Sequence, residues 1–111
     1  MRLRQHDLTC LEAARQMINK NYFRKLSITD IAREVGLSNT KLKDGFRQVF
    51  GVPIYTYMIK VRMEHAKRLL EETENSILSI AIATGYKTSS SFILAFRRLF
   101  SITPAQYRKA L

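Results

Sequence analysis

The chain has 111 residues, 46% of them apolar, and a formal net charge of +10, which is enough for one modest hydrophobic core. Its single cysteine, Cys10, excludes a disulfide framework and a multi-thiolate metal site. No apolar run reaches the ~20 residues that span a bilayer, and the first residues lack a signal-peptide core, so we expect a cytoplasmic protein.

The sequence also argues against an enzyme. It has no paired acid and base, no cluster of metal ligands and no glycine-rich phosphate loop, so we expect no catalytic residue, no metal and no cofactor. The basic balance favours a polyanionic partner, nucleic acid first and an anionic membrane surface second. From Asn75 to Leu111 there are five basic residues and no acidic one, so the charge is segregated along the chain.

Apolar spacing predicts three helices in the first half of the chain, at about 8–19, 27–36 and 38–51. The second begins with a capping box, Ser27-x-x-Asp30, and ends at Gly36, which suits a left-handed C-cap. The third is capped by Ser38 and has an expected buried stripe of Leu42, Phe46, Val49 and Phe50.

A long helix is predicted next, from Pro53 to Thr73. Pro53 suits the first helical position, where its missing N–H would be unpaired in any case. About 20 residues at ~1.5 Å rise give a length of roughly 30 Å. The apolar stripe of this helix is expected to comprise Ile54, Tyr57, Met58, Val61, Ala66, Leu69 and Leu70.

Three further helices complete an all-α fold of about seven helices. They are expected at about 76–85, at about 88–100 and after Thr103, where Thr103 and Gln106 form a second capping box with Pro104 in the first turn. The buried stripe of the sixth helix is expected to be Phe92, Phe96, Leu99 and Phe100.

The residues after the long helix repeat those before it. Four positions recur 49 residues later: Ile28, Ile31, Ala32 and Gly36 become Ile77, Ile80, Ala81 and Gly85. Four more recur 50 residues later: Leu42, Phe46, Phe50 and Tyr57 become Phe92, Phe96, Phe100 and Tyr107. Each copy has two helices joined by a glycine-containing turn, which is the helix-turn-helix pattern. We place these motifs at about 27–51 and 76–100, joined by the long helix.

Helix-turn-helix packing also occurs in domains that never bind DNA, so one copy alone would be weak evidence. Two copies with a net charge of +10 favour duplex DNA over RNA, because readers of single strands use aromatic residues on sheets. A linker helix of roughly 30 Å suits the ~34 Å between successive major-groove faces. Two alternatives stay open: a protein-interaction module whose basic face binds an acidic partner, and a cationic membrane-surface protein.

The motif residues resemble the AraC/XylS family of bacterial transcription regulators over roughly 11–109. The resemblance implies sequence-specific binding of double-stranded DNA by a monomeric fragment, without membrane contact, and RNA polymerase subunits as a further partner. Most members carry a separate sensory or dimerisation domain, which we expect to be absent from this chain. The run Thr40 to Gly51 is similar to the branch that regulates siderophore uptake. The pattern consists of Ile31-Ala32, Gly36-Leu37-Ser38, Leu42, Phe46, Phe50-Gly51, Tyr57, Arg62, Ala66, Leu69-Leu70, Ile80-Ala81, Gly85-Tyr86, Ser91-Phe92, Phe96, Pro104 and Tyr107-Arg108.

The resemblance also implies which side chains face DNA. The base-facing positions are Thr40, Lys43 and Asp44 on the third helix and Ser89, Ser90, Ser91 and Leu94 on the sixth. The phosphate-facing positions are Asn39, Lys41, Arg47, Lys87, Thr88, Arg97 and Arg98.

Three residues depart from the family pattern. Asp44 replaces a basic or amide residue, and it either accepts from a cytosine amino group or pairs with Lys43. Leu94 replaces an arginine and can touch only thymine methyl groups. We therefore hypothesise that the first motif discriminates bases while the second mainly anchors. Ser101 replaces a glycine, so we expect the turn before Thr103 to differ slightly.

Overall fold

A computed structural model describes all residues from 1 to 111 as helices joined by short turns, with no strand. None of the helices is both long enough and apolar enough to cross a membrane. The prediction of an all-α fold with about seven helices is confirmed. In chain order the helices are α1 (Gln5–Lys20), α2 (Ile28–Val35), α3 (Asn39–Phe50), α4 (Ile54–Glu72), α5 (Ile77–Ala83), α6 (Ser89–Phe100) and α7 (Pro104–Lys109).

The chain forms two compact units, residues 1–58 and residues 59–111, and the division falls inside α4. The first unit holds α1, α2, α3 and the start of α4, and the second holds the rest of α4 with α5, α6 and α7. Ile54 is buried in the first unit and Met63 in the second. The long helix therefore contributes core side chains to both units, in addition to connecting them.

The two predicted capping boxes are confirmed by their hydrogen bonds, whereas α1 begins at Gln5, three residues earlier than predicted. The Ser27 hydroxyl accepts from the Asp30 N–H at 3.0 Å, and the Asp30 carboxylate accepts from the Ser27 N–H at 3.1 Å. Thr103 and Gln106 make the same reciprocal pair at 3.1 and 2.9 Å. Each box satisfies N–H groups that the first helical turn leaves without partners.

Some helix ends differ from the prediction. α4 begins at Ile54, so Pro53 precedes it and is not its first helical residue, although the Pro53 carbonyl accepts from the Tyr57 N–H at 3.0 Å. α5 ends at Ala83, with Thr84 as its C-cap. The Thr84 side chain is buried, and its hydroxyl donates to the Ile80 carbonyl at 2.8 Å. Gly85 follows with a positive φ of 96° and carries the chain through the turn.

The predicted buried stripes were wrong at three positions. Val49 and Leu99 are both 41% exposed, because the next residues, Phe50 and Phe100, turn their rings onto the core. Phe50 packs against Phe46 and Phe100 against Phe96, each with ring centres 4.6 Å apart and the ring planes tilted at 59° and 60°. Met63, which was left out of the α4 stripe, is fully buried.

The turn at Ser101 has the same geometry as its counterpart in the first unit, contrary to expectation. Ser101 has a φ of 69° and Gly51 a φ of 75°. Their N–H groups donate to the carbonyls of Arg97 and Arg47, respectively, at 2.8 Å in both cases. The left-handed conformation strains a residue that carries a side chain, so Ser101 holds a shape that glycine would adopt more easily.

The repeat is longer than the apolar pattern indicated. Leu11, Ala14 and Ile18 of α1 are buried, and so are Met63, Ala66 and Leu70 of α4, which lie 52 residues later in the same order. This spacing of 52 residues differs from the spacings of 49 and 50 residues between the helix-turn-helix positions, so a search at those spacings does not find it. The second part of α4 is therefore the first helix of the second unit.

The polar contacts of these two helices match as well. The Arg15 guanidinium lies 5.7 Å from the centre of the Phe50 ring, and the Lys67 ammonium lies 5.0 Å from that of Phe100. The Tyr57 hydroxyl donates to Asn19 at 2.6 Å, and the Tyr107 hydroxyl donates to Glu71. The counterparts on the first helix of each unit lie 52 residues apart, and the aromatic counterparts lie 50 residues apart. Both units therefore hold their last helical segment by equivalent contacts.

Arg108 of α7 binds carbonyls in the last turn of α4 and in the residues that follow it. Its guanidinium donates to the carbonyls of Leu70, Thr73 and Asn75 at 3.3, 3.1 and 2.6 Å. The last carbonyls of a helix lack intrahelical partners and carry partial negative charge. The Arg108 guanidinium therefore ties α7 to the end of α4 and to the turn after it.

Candidate nucleic-acid interface

The exposed face of α3 carries four polar side chains in register. Thr40, Lys43, Asp44 and Arg47 are all exposed, and their spacing of i, i+3, i+4 and i+7 puts them on one side of the helix. The opposite side is buried through Leu42, Gly45 and Phe46. The structure thus brings together all three predicted base-facing residues of the first unit and one of its predicted phosphate-facing residues.

Gly45 sets how closely α3 approaches α1. A Cβ atom at this position would lie 3.0 Å from Leu11 Cδ1 and 3.5 Å from Leu3 Cδ2. The 3.0 Å separation is tighter than ordinary carbon contacts, so the Leu11 side chain would have to shift by a few tenths of an ångström to admit a larger residue. Gly45 therefore lets α3 pack closely against Leu11 of α1.

Two predicted phosphate-facing residues hold α3 inside the unit. Asn39 Nδ2 donates to Thr29 Oγ1 at 3.0 Å, which ties the start of α3 to α2. Lys41 Nζ lies 3.5 Å from Asp7 Oδ1, which ties α3 to α1. Both side chains have partners before any ligand arrives.

Asp7 was not singled out by the sequence, and it is one of two buried polar or charged residues. The Arg4 N–H donates to its carboxylate at 2.9 Å. This backbone hydrogen bond lowers the pKa of Asp7, burial opposes the shift, and the charge of Lys41 adds to the lowering. An acid three residues after a helix start is a capping signal, but Arg4 at the start concealed it.

Lys43 and Asp44 do not pair with each other. The ion pairs of the chain join Arg15 to Glu12, Arg33 to Asp30 and Lys41 to Asp7. The alternative in which Lys43 neutralises Asp44 is therefore wrong for the unbound chain. An exposed ammonium and an exposed carboxylate remain side by side on α3, each able to contact another molecule.

The start of α6 uses two of the predicted site residues in its own cap. The Thr88 hydroxyl accepts from the Ser91 N–H at 3.1 Å, and the Ser91 hydroxyl donates to the Thr88 carbonyl at 3.1 Å. The two hydroxyl oxygens also lie 2.9 Å apart. Thr88 and Ser91 thus satisfy each other. Ser90 is then the exposed serine of the first turn that takes no part in the cap.

Beyond the cap, the exposed face of α6 is mostly apolar and basic. Leu94 is 50% exposed, and Arg97 and Arg98 are exposed beyond it. Ile93 packs against the core of the second unit, so Leu94 is the exposed apolar side chain on the face that carries Arg97 and Arg98. Ser89 is half-buried and Lys87 is exposed ahead of the cap.

The cysteine and the side chains that could bind a metal ion were the other candidates for a site. Cys10 is buried, and its Sγ lies 3.5 Å from His6 Nε2. No group of three or more His, Cys, Asp and Glu side chains could hold a metal ion. The exposed faces of α3 and α6 are the features that the charge distribution and the repeat both single out.

Comparison with known proteins identifies the architecture. The sequence pattern of a family described as a helix-turn-helix domain matches residues 31–110. A transcriptional regulator from Chromobacterium violaceum, whose structure is described as AraC-type DNA-binding domain-containing, is 31% identical, with a TM-score of 0.84 over 96% of this chain and 95% of that one. The chain belongs to the AraC-type helix-turn-helix family.

Two further relatives of the AraC-type chain show the extent of the likeness. The C-terminal domain of AraT, a response regulator from Geobacillus stearothermophilus, has a TM-score of 0.90 and 31% identity over 100% of this chain and 89% of that one. The melibiose operon regulatory protein of Escherichia coli K12 is 35% identical over 92 residues, which are 83% of this chain and 30% of that protein. The chain spans about a third of the length of the curated relatives it matches.

Proposed function

We propose that this AraC-type chain binds duplex DNA sequence-specifically as the DNA-binding part of a transcription regulator. The observation that carries the proposal is the pair of exposed helix faces, on α3 and α6, in two units built to one design. Its charge of +10 suits a phosphate backbone. Its relatives at 31% identity include a transcriptional regulator described as AraC-type and DNA-binding, which supports the same function.

In this proposal α3 lies in a major groove and discriminates bases. Lys43 donates to guanine O6 and N7, and Asp44 accepts from a cytosine amino group. Thr40 contacts a neighbouring base edge, and Arg47 contacts a phosphate. The lack of an ion pair between Lys43 and Asp44 supports this assignment, because neither charge must first be released from the other.

The second helix, α6, lies in an adjacent major groove and mainly anchors the chain. Ser90 and Leu94 face base edges, while Lys87, Arg97 and Arg98 contact phosphates, which carry no sequence information. Ser89, Ser91 and Thr88 contribute less, since the last two already satisfy each other. Asn39 and Lys41 contribute to phosphate binding in the first unit only after leaving Thr29 and Asp7.

Selection of bound duplexes from a random pool, followed by affinities for every single-base-pair variant, tests these roles. We expect two half-sites whose centres lie about one helical turn apart, with the larger losses in the half-site bound by α3. Heparin is added as a competitor. Binding that is indifferent to sequence would instead favour the protein-interaction or membrane-surface alternatives.

The finer parts of the proposal rest on the family resemblance alone. We propose a monomeric DNA-binding part in the cytoplasm, a sensory domain elsewhere in a longer chain, and contact with RNA polymerase subunits at the promoter. The likeness of Thr40 to Gly51 to the siderophore-uptake branch further suggests iron-acquisition genes as targets. Mapping the bound chromosomal sites and measuring target transcription with and without iron tests that assignment.

A further inference from the structure

A groove of about 370 Å³ borders α3 within the first unit. One wall is the exposed face of α3 itself, and the other walls come from the first turns of α2 and α4. Part of this surface belongs to no role assigned so far. The residues that matter here are Thr29, Asn39, Thr40, Lys43, Asp44 and Tyr55.

Tyr55 is the unexplained member of this groove. Its side chain is 55% exposed, and its hydroxyl has no hydrogen-bond partner in the chain. Two other tyrosine hydroxyls do have partners in the chain: that of Tyr57 donates to Asn19 at 2.6 Å, and that of Tyr107 donates to Glu71. Tyr55 was also absent from the predicted apolar stripe of α4, which is the sequence signal for an outward position.

The surroundings of Tyr55 supply further donors. Because Asn39 donates to the Thr29 oxygen at 3.0 Å, the hydroxyl hydrogen of Thr29 stays available. Lys43 is exposed and forms no ion pair within the chain. In protein–DNA complexes, phosphate oxygens accept hydrogen bonds from hydroxyl and ammonium groups such as these.

Docking of the first unit would bring a phosphate to this groove. When the second helix of a helix-turn-helix enters the major groove, the first crosses the sugar-phosphate backbone, and here that crossing side is lined by Thr29 and Tyr55. We infer that Tyr55 donates its hydroxyl hydrogen to a backbone phosphate that borders the half-site bound by α3. This inference rests on the proposed function and adds a residue to it.

Two observations restrict the contact. The carboxylate of Asp44 lines the same groove, and it repels a free anion, whereas a duplex held by other contacts brings its phosphate in regardless. The counterpart of Tyr55 in the second unit, 50 residues later, is Ala105, which has no hydroxyl. The phosphate contact therefore belongs to the first unit alone.

The test compares Tyr55→Phe with the wild-type chain on the selected duplex. Loss of one hydrogen bond to a charged group predicts binding about tenfold weaker, by the same factor for every base-pair variant. The dependence on salt should keep its slope, since a hydroxyl carries no charge. Tyr22→Phe, which removes a hydroxyl outside the groove, serves as the matched control and should bind as the wild type does.

A methylphosphonate scan of the duplex locates the contact. Replacing one phosphate beside the half-site bound by α3 should weaken binding of the wild-type chain. The same replacement should leave the affinity of Tyr55→Phe unchanged. Unchanged affinity of Tyr55→Phe, or an altered base preference, overturns the inference while leaving the proposed function intact. Saturable binding of inorganic phosphate that Tyr55→Phe abolishes also overturns it, because the groove would then be a free-anion site. Failure of the wild-type chain to prefer any duplex sequence overturns the proposed function and this inference together.

Discussion

The two helix-turn-helix units share a scaffold but not a recognition face. The helix cap is Ser38 in the first unit and Thr88 in the second, and the turn residue is Gly51 in the first and Ser101 in the second. The buried core residues Phe46 and Phe96 correspond in the same way. The exposed polar set Thr40, Lys43, Asp44 and Arg47 of α3 corresponds, 50 residues later, to Ser90, Ile93, Leu94 and Arg97, of which Ile93 packs against the core. Only the arginine is kept.

This difference separates what packing requires from what recognition requires. Core and turn positions are restricted because a close-packed interior tolerates little change in volume or angle. Exposed positions on a helix carry no such restriction, so two copies of one unit can acquire different partners on the same frame. The kept arginine fits a contact with phosphate, which is the same on every sequence.

The largest expected effects test whether the scaffolds are equivalent. Phe46 and Phe96 are each fully buried, so Phe46→Ala and Phe96→Ala should each lower the free energy of unfolding by ~3–5 kcal/mol. Urea titration followed by circular dichroism measures both. A cost for one variant that is several kcal/mol larger than for the other would show that the two cores are not equivalent.

The next prediction separates the two recognition faces. Lys43→Ala should weaken specific binding by ~1–3 kcal/mol and relax the preference at one base pair. Arg97→Ala should weaken binding on all sequences alike and reduce the salt slope by ~1. Affinities across salt concentrations and base-pair variants measure both effects. Equal and uniform losses for the two variants would contradict the assigned roles.

The helices and the repeat could be predicted from sequence because they depend on local signals. Ser27 with Asp30, Gly36, and the spacing of Phe46 and Phe50 act within a few residues along the chain. The tie between Lys41 and Asp7, and the match of α1 to part of α4, depend on contacts between helices. Exposure of Val49 could not be foreseen for the same reason, since Phe50 takes its place in the core.

The turn at Ser101 offers a smaller and symmetrical test of the scaffold. Ser101→Gly should raise the free energy of unfolding by about 1 kcal/mol, because it relieves a left-handed backbone conformation. Gly51→Ser should lower it by a similar amount, and a Cβ atom there meets no neighbouring atom, so backbone strain alone is measured. Thermal unfolding of both variants gives the comparison, and shifts of the same sign would contradict it.

The smallest expected effect concerns the apolar face of the second unit. Leu94 can recognise a base only through the thymine methyl group, and uracil in place of thymine removes that methyl and nothing else. At one position of the half-site bound by α6, this replacement should weaken binding about fourfold, the factor for burying one such group. Leu94→Ala should bind the thymine and uracil duplexes equally, whereas Ser90→Ala, on the same face, should still distinguish them. Continued discrimination by Leu94→Ala would show that another side chain contacts the methyl group, and that the second unit recognises bases by a different residue.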